Sequence, residues 1–454
     1  MTNNSNSPAR ATAAKAGLLS FLFVMYSYTT GGPFGLEPMV TTSGPGMTLL
    51  YLLFLPIFWC IPTSLVVAEL TTAMPVQGGF YRWVRAGFGD FWGFLGGWWN
   101  WSASFLLGGA YAVLFTDYLV AYFPQLHGWR HYAVCLVVVA VLTWVNVRGI
   151  SLVGRVSTVL EILVLVPVLI MAVIGILHWQ HNPFIPLKPP DKPFTQVFGV
   201  GLALGLWLYS GYEQLSTVAG EVENPRRSYP LALAIVVPMS IATYFLPAFG
   251  GLAALNDWEK WTDGYLAIAA RAIGGPWLGL AMTAAAMVTS LALLNATILS
   301  STRMPFAMAE DGFLPQRLTR LHPRFGTPAV AIVTSGIIYA LVAMHSLTAL
   351  IAVYSWLRVA TTVLTALSGW RLRKTHPDLP RSYIVPGGKG GLAYAVLAPV
   401  FMSAIAIWGS IASGDRYVPI LGAAALALGP LAFFLSRRLT GHAPASPTIQ
   451  NLPS

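Results

Sequence analysis

The sequence predicts an all-α integral membrane protein of about twelve transmembrane helices, on three observations. First, 56% of the 454 residues are hydrophobic and only 9% are charged, whereas a soluble domain carries roughly 25% charged residues. Second, the apolar residues fall into runs of about 18 to 25, long enough to cross a hydrocarbon core of about 30 Å. Third, the cations gather in alternate loops, as a chain threading back and forth through a bilayer requires.

The elements follow in order. Helix 1 is expected over 17–42, helix 2 over 47–74, and helix 3 over 91–123. Helix 4 covers 131–147, helix 5 155–178, helix 6 195–221 and helix 7 230–254. The stretch 257–273 reads as a short external helix leading into helix 8 at 276–307. Helix 8 is longer than a bilayer is thick, so it tilts or extends beyond the membrane. Helices 9 to 12 are expected over 328–345, 347–370, 392–412 and 417–436. Residues 1–16 and 437–454 form polar tails, and no cleavage site follows the first apolar run, which is read as a retained helix. With the first tail inside, nineteen of the 26 Lys and Arg residues fall at inner positions and six at outer ones, and Arg358 lies within helix 10. That bias predicts a multi-pass protein of the cell membrane with both termini cytoplasmic.

The formal net charge is +10 and the pI about 9.6. Because the cations sit in loops on one side, lipid is the expected partner and nucleic acid is not. Cys60 and Cys135 both lie in apolar runs and show no metal spacing. No Gly-Lys-Ser phosphate loop and no defensible Ser/His/Asp arrangement is present, which argues against an ATP-driven pump and against an enzyme. No loop is long enough for a soluble domain. A passive channel would need a continuous polar lumen and no helix breaks.

Two spans break helical rules at corresponding places. Helix 1 contains Thr30, Gly31, Gly32, Pro33, Phe34 and Gly35. Helix 6, five helices later, contains Tyr209, Ser210, Gly211, Tyr212, Glu213 and Gln214. Glycine and proline weaken or interrupt a helix. In lipid an unpaired amide costs several kcal/mol, so unwound backbone must face protein or a water-filled cavity. Paired interruptions of this kind point to a transporter's binding site and to an internal repeat of helices 1–5 against 6–10, here 17–178 against 195–370, with 392–436 outside it. Freed half-helix amides suit a carboxylate, and freed carbonyls suit an ammonium or another cation. A tightly packed kink is the structural alternative.

At these residues the sequence resembles the amino acid–polyamine–organocation transporter family. The cues are Gly31-Gly32-Pro33-Phe34-Gly35, then Ala68-Glu69-Leu70 with Pro75, Gly78-Gly79-Phe80-Tyr81-Arg82-Trp83-Val84 and Phe88-Gly89. Others are Trp207 with Ser210-Gly211, Ala219-Gly220-Glu221-Val222-Glu223-Asn224-Pro225-Arg226-Arg227, and Arg303 with Ala307-Met308-Ala309-Glu310-Asp311-Gly312. The resemblance implies a LeuT-type inverted 5+5 repeat with broken helices 1 and 6. It also implies exchange or proton-coupled uptake of amino acids, with a proton gradient rather than a cofactor as driving force. The string from Gly31 to Pro38 looks most like plant and protozoan polyamine uptake transporters. Those carriers place a further acid in helix 8 near Asn295, which is uncharged here.

An ionisable group inside a span is expensive and asks for a reason. Glu213 stands where the family places an acid in the helix 6 break. It is the first candidate for carrying a proton or pairing with a substrate ammonium, against a purely structural acid. Glu161 in helix 5 is the second candidate for proton coupling, or it pairs with Arg155 or Arg358. Arg358 either snorkels or forms a buried pair. Glu37 and Asp117 line an outer vestibule or serve as satisfied structural acids. Glu69 with Arg82 and Arg85 suggests an inner-gate network. The substrate wall is expected from Gly31, Gly32, Pro33, Phe34, Gly35, Tyr111, Trp207, Ser210, Gly211, Tyr212 and Asn295. The resemblance makes Trp207 an aromatic gate, and its ring face suits an ammonium. The leading expectation is a proton symporter of an amino acid. A polyamine carrier or an exchanger is the alternative.

Overall fold

The computed structural model describes residues 18–76, 78–149, 153–212 and 224–440. They form seventeen α-helices, and no strand occurs among the described residues. The first predicted span is two pieces, α1 (Leu18–Thr29) and α2 (Glu37–Ser43). The second, Pro45–Ala73, is α3 (Pro45–Leu55) and α4 (Ile61–Ala73) joined by a π-helical turn at Pro56–Cys60. α5 (Gly79–Phe88) follows, in the stretch between predicted helices 2 and 3 where no helix was expected. Then come α6 (Asp90–Tyr122), α7 (Trp129–Val147) and α8 (Val153–Leu177). The sixth span is a 3-10 turn at Phe194–Phe198 and α9 (Val200–Leu208). Its predicted continuation to 221 lies outside the described residues beyond Tyr212.

The seventh span, α10 (Pro225–Ala254), begins five residues before its predicted start, because Pro225 is well suited to the first turn of a helix. α11 (Tyr265–Gly274) is the expected short helix. The long eighth span is α12 (Pro276–Ser301) continued by α13 (Arg303–Glu310). α14 (Ala329–Val342), α15 (Leu347–Thr375), α16 (Gly388–Ala412) and α17 (Tyr417–Thr440) complete the chain.

Eight of the described spans are long and apolar enough to cross a membrane alone, and α9 and α14 are shorter apolar helices. α6, about 50 Å long at 1.5 Å per residue, is the central column, with α12 and α15 packed along it. Close packing there needs small residues: a Cβ on Gly108 would meet the Tyr339 ring at 2.5 Å. α16 and α17 lie outside this bundle against α4, α6 and α15.

The two halves repeat in inverted sense. α5 is preceded by Gly78 (φ 92°) and followed by Gly89 (φ 85°, ψ −178°). α11 is preceded by Gly264 (φ 80°) and followed by Gly275 (φ 86°, ψ 178°). Each is ten residues long, and each leads directly into a long span. A Cβ on Gly93 of α6 would lie 2.6 Å from the Cβ of Arg85, and one on Gly279 of α12 would lie 2.6 Å from that of Arg271. Arg85 and Arg271 both stand seven positions after their leading glycine. α5 sits at the start of α6, whereas a Cβ on Gly264 would lie 3.3 Å from the Asp117 carbonyl and one on Gly279 3.0 Å from the Tyr122 hydroxyl, towards its far end. The same device therefore closes opposite ends of the molecule, as a LeuT-type inverted repeat requires.

Candidate functional site

The break in the first span is a backbone feature. Gly31, Gly32 and Gly35 have φ of 60°, 101° and 87°, values that L side chains rarely adopt. In the sixth span, α9 ends at Leu208 and Gly211 takes φ 111°. The two breaks meet. The Tyr244 hydroxyl of α10 lies 2.9 Å from the Leu208 carbonyl and 3.2 Å from that of Thr30. One turn earlier, Ser240 Oγ is 2.5 Å from the Thr30 hydroxyl and accepts from the Tyr212 hydroxyl at 3.1 Å. α10 thus satisfies polar groups freed by both interruptions, which a lipid environment demands.

Between the breaks lies a cavity of about 60 Å³. Its wall includes Gly32 and Phe34 from the first break, and Ser210, Gly211 and Trp207 from the sixth span. Tyr111, Asn100 and Ser104 of α6 complete one side, and Thr289 and Thr297 of α12 another. Arg358 and Tyr354 project from α15. Trp207 and Tyr111 form a tilted ring pair with centroids 6.2 Å apart. A Cβ on Gly35 would lie 2.9 Å from the tip of Trp207, so the indole closes on bare backbone. Trp59 Nε1 donates to Ser210 Oγ at 3.1 Å, and Ser210 Oγ donates to the Leu206 carbonyl.

Of the residues expected in the wall, Gly32, Phe34, Tyr111, Trp207, Ser210 and Gly211 line this cavity. Gly31, Pro33 and Gly35 shape the break beside it. Tyr212 instead turns its hydroxyl to Ser240. Asn295 turns to α7, its Oδ1 accepting from Asn146 Nδ2 at 2.7 Å, because the neighbouring positions 296 and 297 already occupy the cavity face of α12. Glu213 lies outside the described residues, as does the side chain of Glu161, which α8 carries. Sequence reasoning missed Asn100, Ser104, Tyr244, Thr289 and Thr297. The available signal was polar residues recurring at helical spacing on otherwise apolar spans, such as Asn100 with Ser104. Arg358 is buried, so it does not snorkel.

Ionic clusters flank the cavity. At the α5 end, Asp311 accepts from the Tyr81 hydroxyl at 2.8 Å and pairs with Arg85 at 3.0 Å and Arg82 at 3.5 Å. Burial pushes the Tyr81 phenol well above its ordinary range, with the Asp311 carboxylate adding to the effect. Glu69 is not part of that cluster. It binds Arg373 in a two-pronged pair, lies 3.4 Å from Arg381 and accepts from the Val385 amide. The expected network of Glu69 with Arg82 and Arg85 is therefore two networks, because α5 swings its arginines toward α13 and away from α4.

At the other end, Glu37 is fully buried and satisfied. It accepts from the Gly35 amide at 2.8 Å, from the Tyr118 hydroxyl and from the Leu266 amide, so it is a structural acid and no part of a vestibule. Asp117 pairs with His131 at 2.8 Å. Burial pushes the nearby Asp263 carboxyl up to about 7, and the carboxylates of Asp117 and Glu37 add to the shift.

The sequence model of the amino acid permease family matches residues 17–426. A probable polyamine transporter of Arabidopsis thaliana is 33% identical over 395 residues, which are 87% of this chain and 81% of that protein. A polyamine transporter of Oryza sativa subsp. japonica is 31% identical over 427 residues, covering 93% of this chain and 78% of its own length. A serine/threonine exchanger of Bacillus subtilis is 28% identical over 325 residues, 70% of this chain and 73% of that one.

Proposed function

Because the chain belongs to the amino acid permease family, a family of membrane transporters, we propose that it carries a small amino acid across the cell membrane as a proton symporter, with both termini in the cytoplasm. One observation carries this reading: two interrupted spans meet at a cavity of about 60 Å³ walled by hydroxyls, bare backbone and an aromatic pair. The freed amides suit the substrate's carboxylate, and the freed carbonyls and the Trp207 face suit its ammonium. Glu213 and Glu161 are the proton carriers in this reading, and no cofactor is needed. Substrate and proton are linked if each favours the carrier form that holds the other. The second reading is a polyamine carrier. The names of the Arabidopsis and rice relatives favour it, and the name of the Bacillus exchanger favours the first.

Uptake of labelled amino acids and of putrescine into proteoliposomes, with and without an inward proton gradient, tests both. Amino acid accumulation that rises with the gradient is the expected result; uptake of putrescine alone establishes the second reading. Glu213→Gln should abolish gradient-driven accumulation in a folded protein. Full accumulation by that variant removes Glu213 from the coupling.

A further inference from the structure

Serine and threonine inside a helix commonly turn the hydroxyl back to a carbonyl three or four residues earlier. α12 does so at Thr283 and Ser290, which donate to the Gly279 and Ala286 carbonyls. Thr297 does not. It is 6% exposed and lines the central cavity, and its hydroxyl makes no hydrogen bond among the described residues. The hydroxyls of Thr29, Thr30, Ser104, Ser210, Ser300 and Ser301 in the same wall all have protein partners. Thr289, about two turns earlier, also has a free hydroxyl, but its methyl packs on the first break, 2.9 Å from where a Cβ on Gly31 would lie. Leu293 meets Gly31 too, so Thr297, one turn further on, stands about 6 Å beyond the break along α12 at 1.5 Å per residue. α6 and α12 run antiparallel, with Gly97 facing Met308 and Gly279 facing Tyr122. Thr297 is therefore level with Ser104 and Leu107, at the end of the cavity away from the Trp207 and Tyr111 rings.

We propose that Thr297 is a specificity-determining residue whose hydroxyl bonds an uncharged polar group, an amide or a hydroxyl, on the substrate's side chain, so that the carrier prefers such side chains to apolar ones of the same shape. This rests on the amino acid reading, with the substrate's backbone held at the breaks and its side chain directed along α12. A buried hydroxyl left without a partner carries its full desolvation cost. A polar side chain supplies the partner. An apolar isostere displaces water from the hydroxyl and returns no hydrogen bond.

The test is binding of two pairs of near-isosteres to the full chain in lipid nanodiscs: asparagine against leucine, and threonine against valine. The wild type should bind the polar member of a pair about threefold to tenfold more tightly, the range of one neutral hydrogen bond. Thr297→Val keeps the residue's shape and removes a hydroxyl that bonds to nothing in the protein, so the fold should hold. It should weaken binding of the polar member by a similar factor and leave that of the apolar member unchanged or tighter. Thr297→Ser, which keeps the hydroxyl, should keep the wild-type preference. A residue that only shapes the wall would move both members together, and that result overturns the proposal. A wild type without preference in either pair, or ratios that Thr297→Val leaves unchanged in both, overturns it as well. A wild type that binds none of these amino acids defeats the underlying amino acid reading instead, and that failure is seen without any variant.

Discussion

Single polar residues in this protein are placed by what they satisfy. Glu37 illustrates the case: three donors converge on it, one each from the first break, from α6 and from α11. Asp263 is the opposite case. It sits outside the spans, its Oδ1 is buried without a hydrogen-bond partner among the described residues, and its carboxyl rises from 3.8 to about 7. Asp117, Glu37 and His131 are the titratable groups that face it. The native state therefore binds this proton more tightly than the unfolded chain does. The stability it contributes is fully present below about 4 and is lost as pH rises towards 7. Asp263→Asn should flatten that loss. In detergent, thermal unfolding of the wild type should weaken between pH 5 and pH 8, and the variant should gain about 1 kcal/mol on it at pH 8. Equal slopes for the two proteins would show that the carboxyl is ionised throughout. Part of the site was legible at this scale, because Gly32, Ser210 and Gly211 are conspicuous in apolar spans. Asn295 was misleading, because a polar residue in a span does not reveal which neighbour it faces. Partners distant in sequence, such as Glu69 with Arg373, leave no local pattern.

At the scale of the element, irregular backbone is repaired by tyrosines from neighbouring helices. Pro56 has no N–H to give the Leu52 carbonyl, and the Tyr209 hydroxyl donates to that carbonyl at 2.6 Å. Pro62 likewise leaves the Ile57 carbonyl free within the π turn, and the Tyr394 hydroxyl reaches it. Tyr244 does the same for both breaks. Tyr244→Phe keeps the ring and removes the bridge. Two carbonyls then lose their shared donor, so stability should fall by about 1–3 kcal/mol. Uptake should fall much further, because the relative placement of the breaks is lost. A variant with unchanged uptake would mean that α10 does not hold the breaks in register. Most spans could be read directly from the sequence, since runs of apolar residues between cationic loops leave few alternatives. α5 could not: it is short, carries Arg82 and Arg85, and is stabilised by packing on α6 rather than by its own propensity.

On the scale of the whole molecule, the inverted pair of α5 and α11 defines two closures with different chemistry. α5 is held by ion pairs to Asp311 and Asp90. α11 is held by its Leu266 amide on Glu37, which also binds the first break and α6. The twin glycines show the shared geometry, but the chains around them have diverged, so no residue-by-residue repeat is visible in the sequence. If the protein works by alternating access, each closure opposes opening at its own end, and weakening one shifts the population toward that end by its differential stability. Asp311→Asn removes the carboxylate that Arg82 and Arg85 share and leaves Arg85 only Asp90. Glu37→Gln weakens the three-way junction at the other end. A cysteine placed at Ser104 in the cavity wall, in a background lacking Cys60 and Cys135, reports which end is open through its reaction with a membrane-impermeant thiol reagent applied to one side. Asp311→Asn should raise labelling several-fold from the α5 side, and Glu37→Gln from the α11 side; a 1 kcal/mol shift is about fivefold in population. Labelling that rises on both sides for either variant would mean a leak rather than a gate. Labelling that rises on the wrong side would reverse the assignment of the two closures.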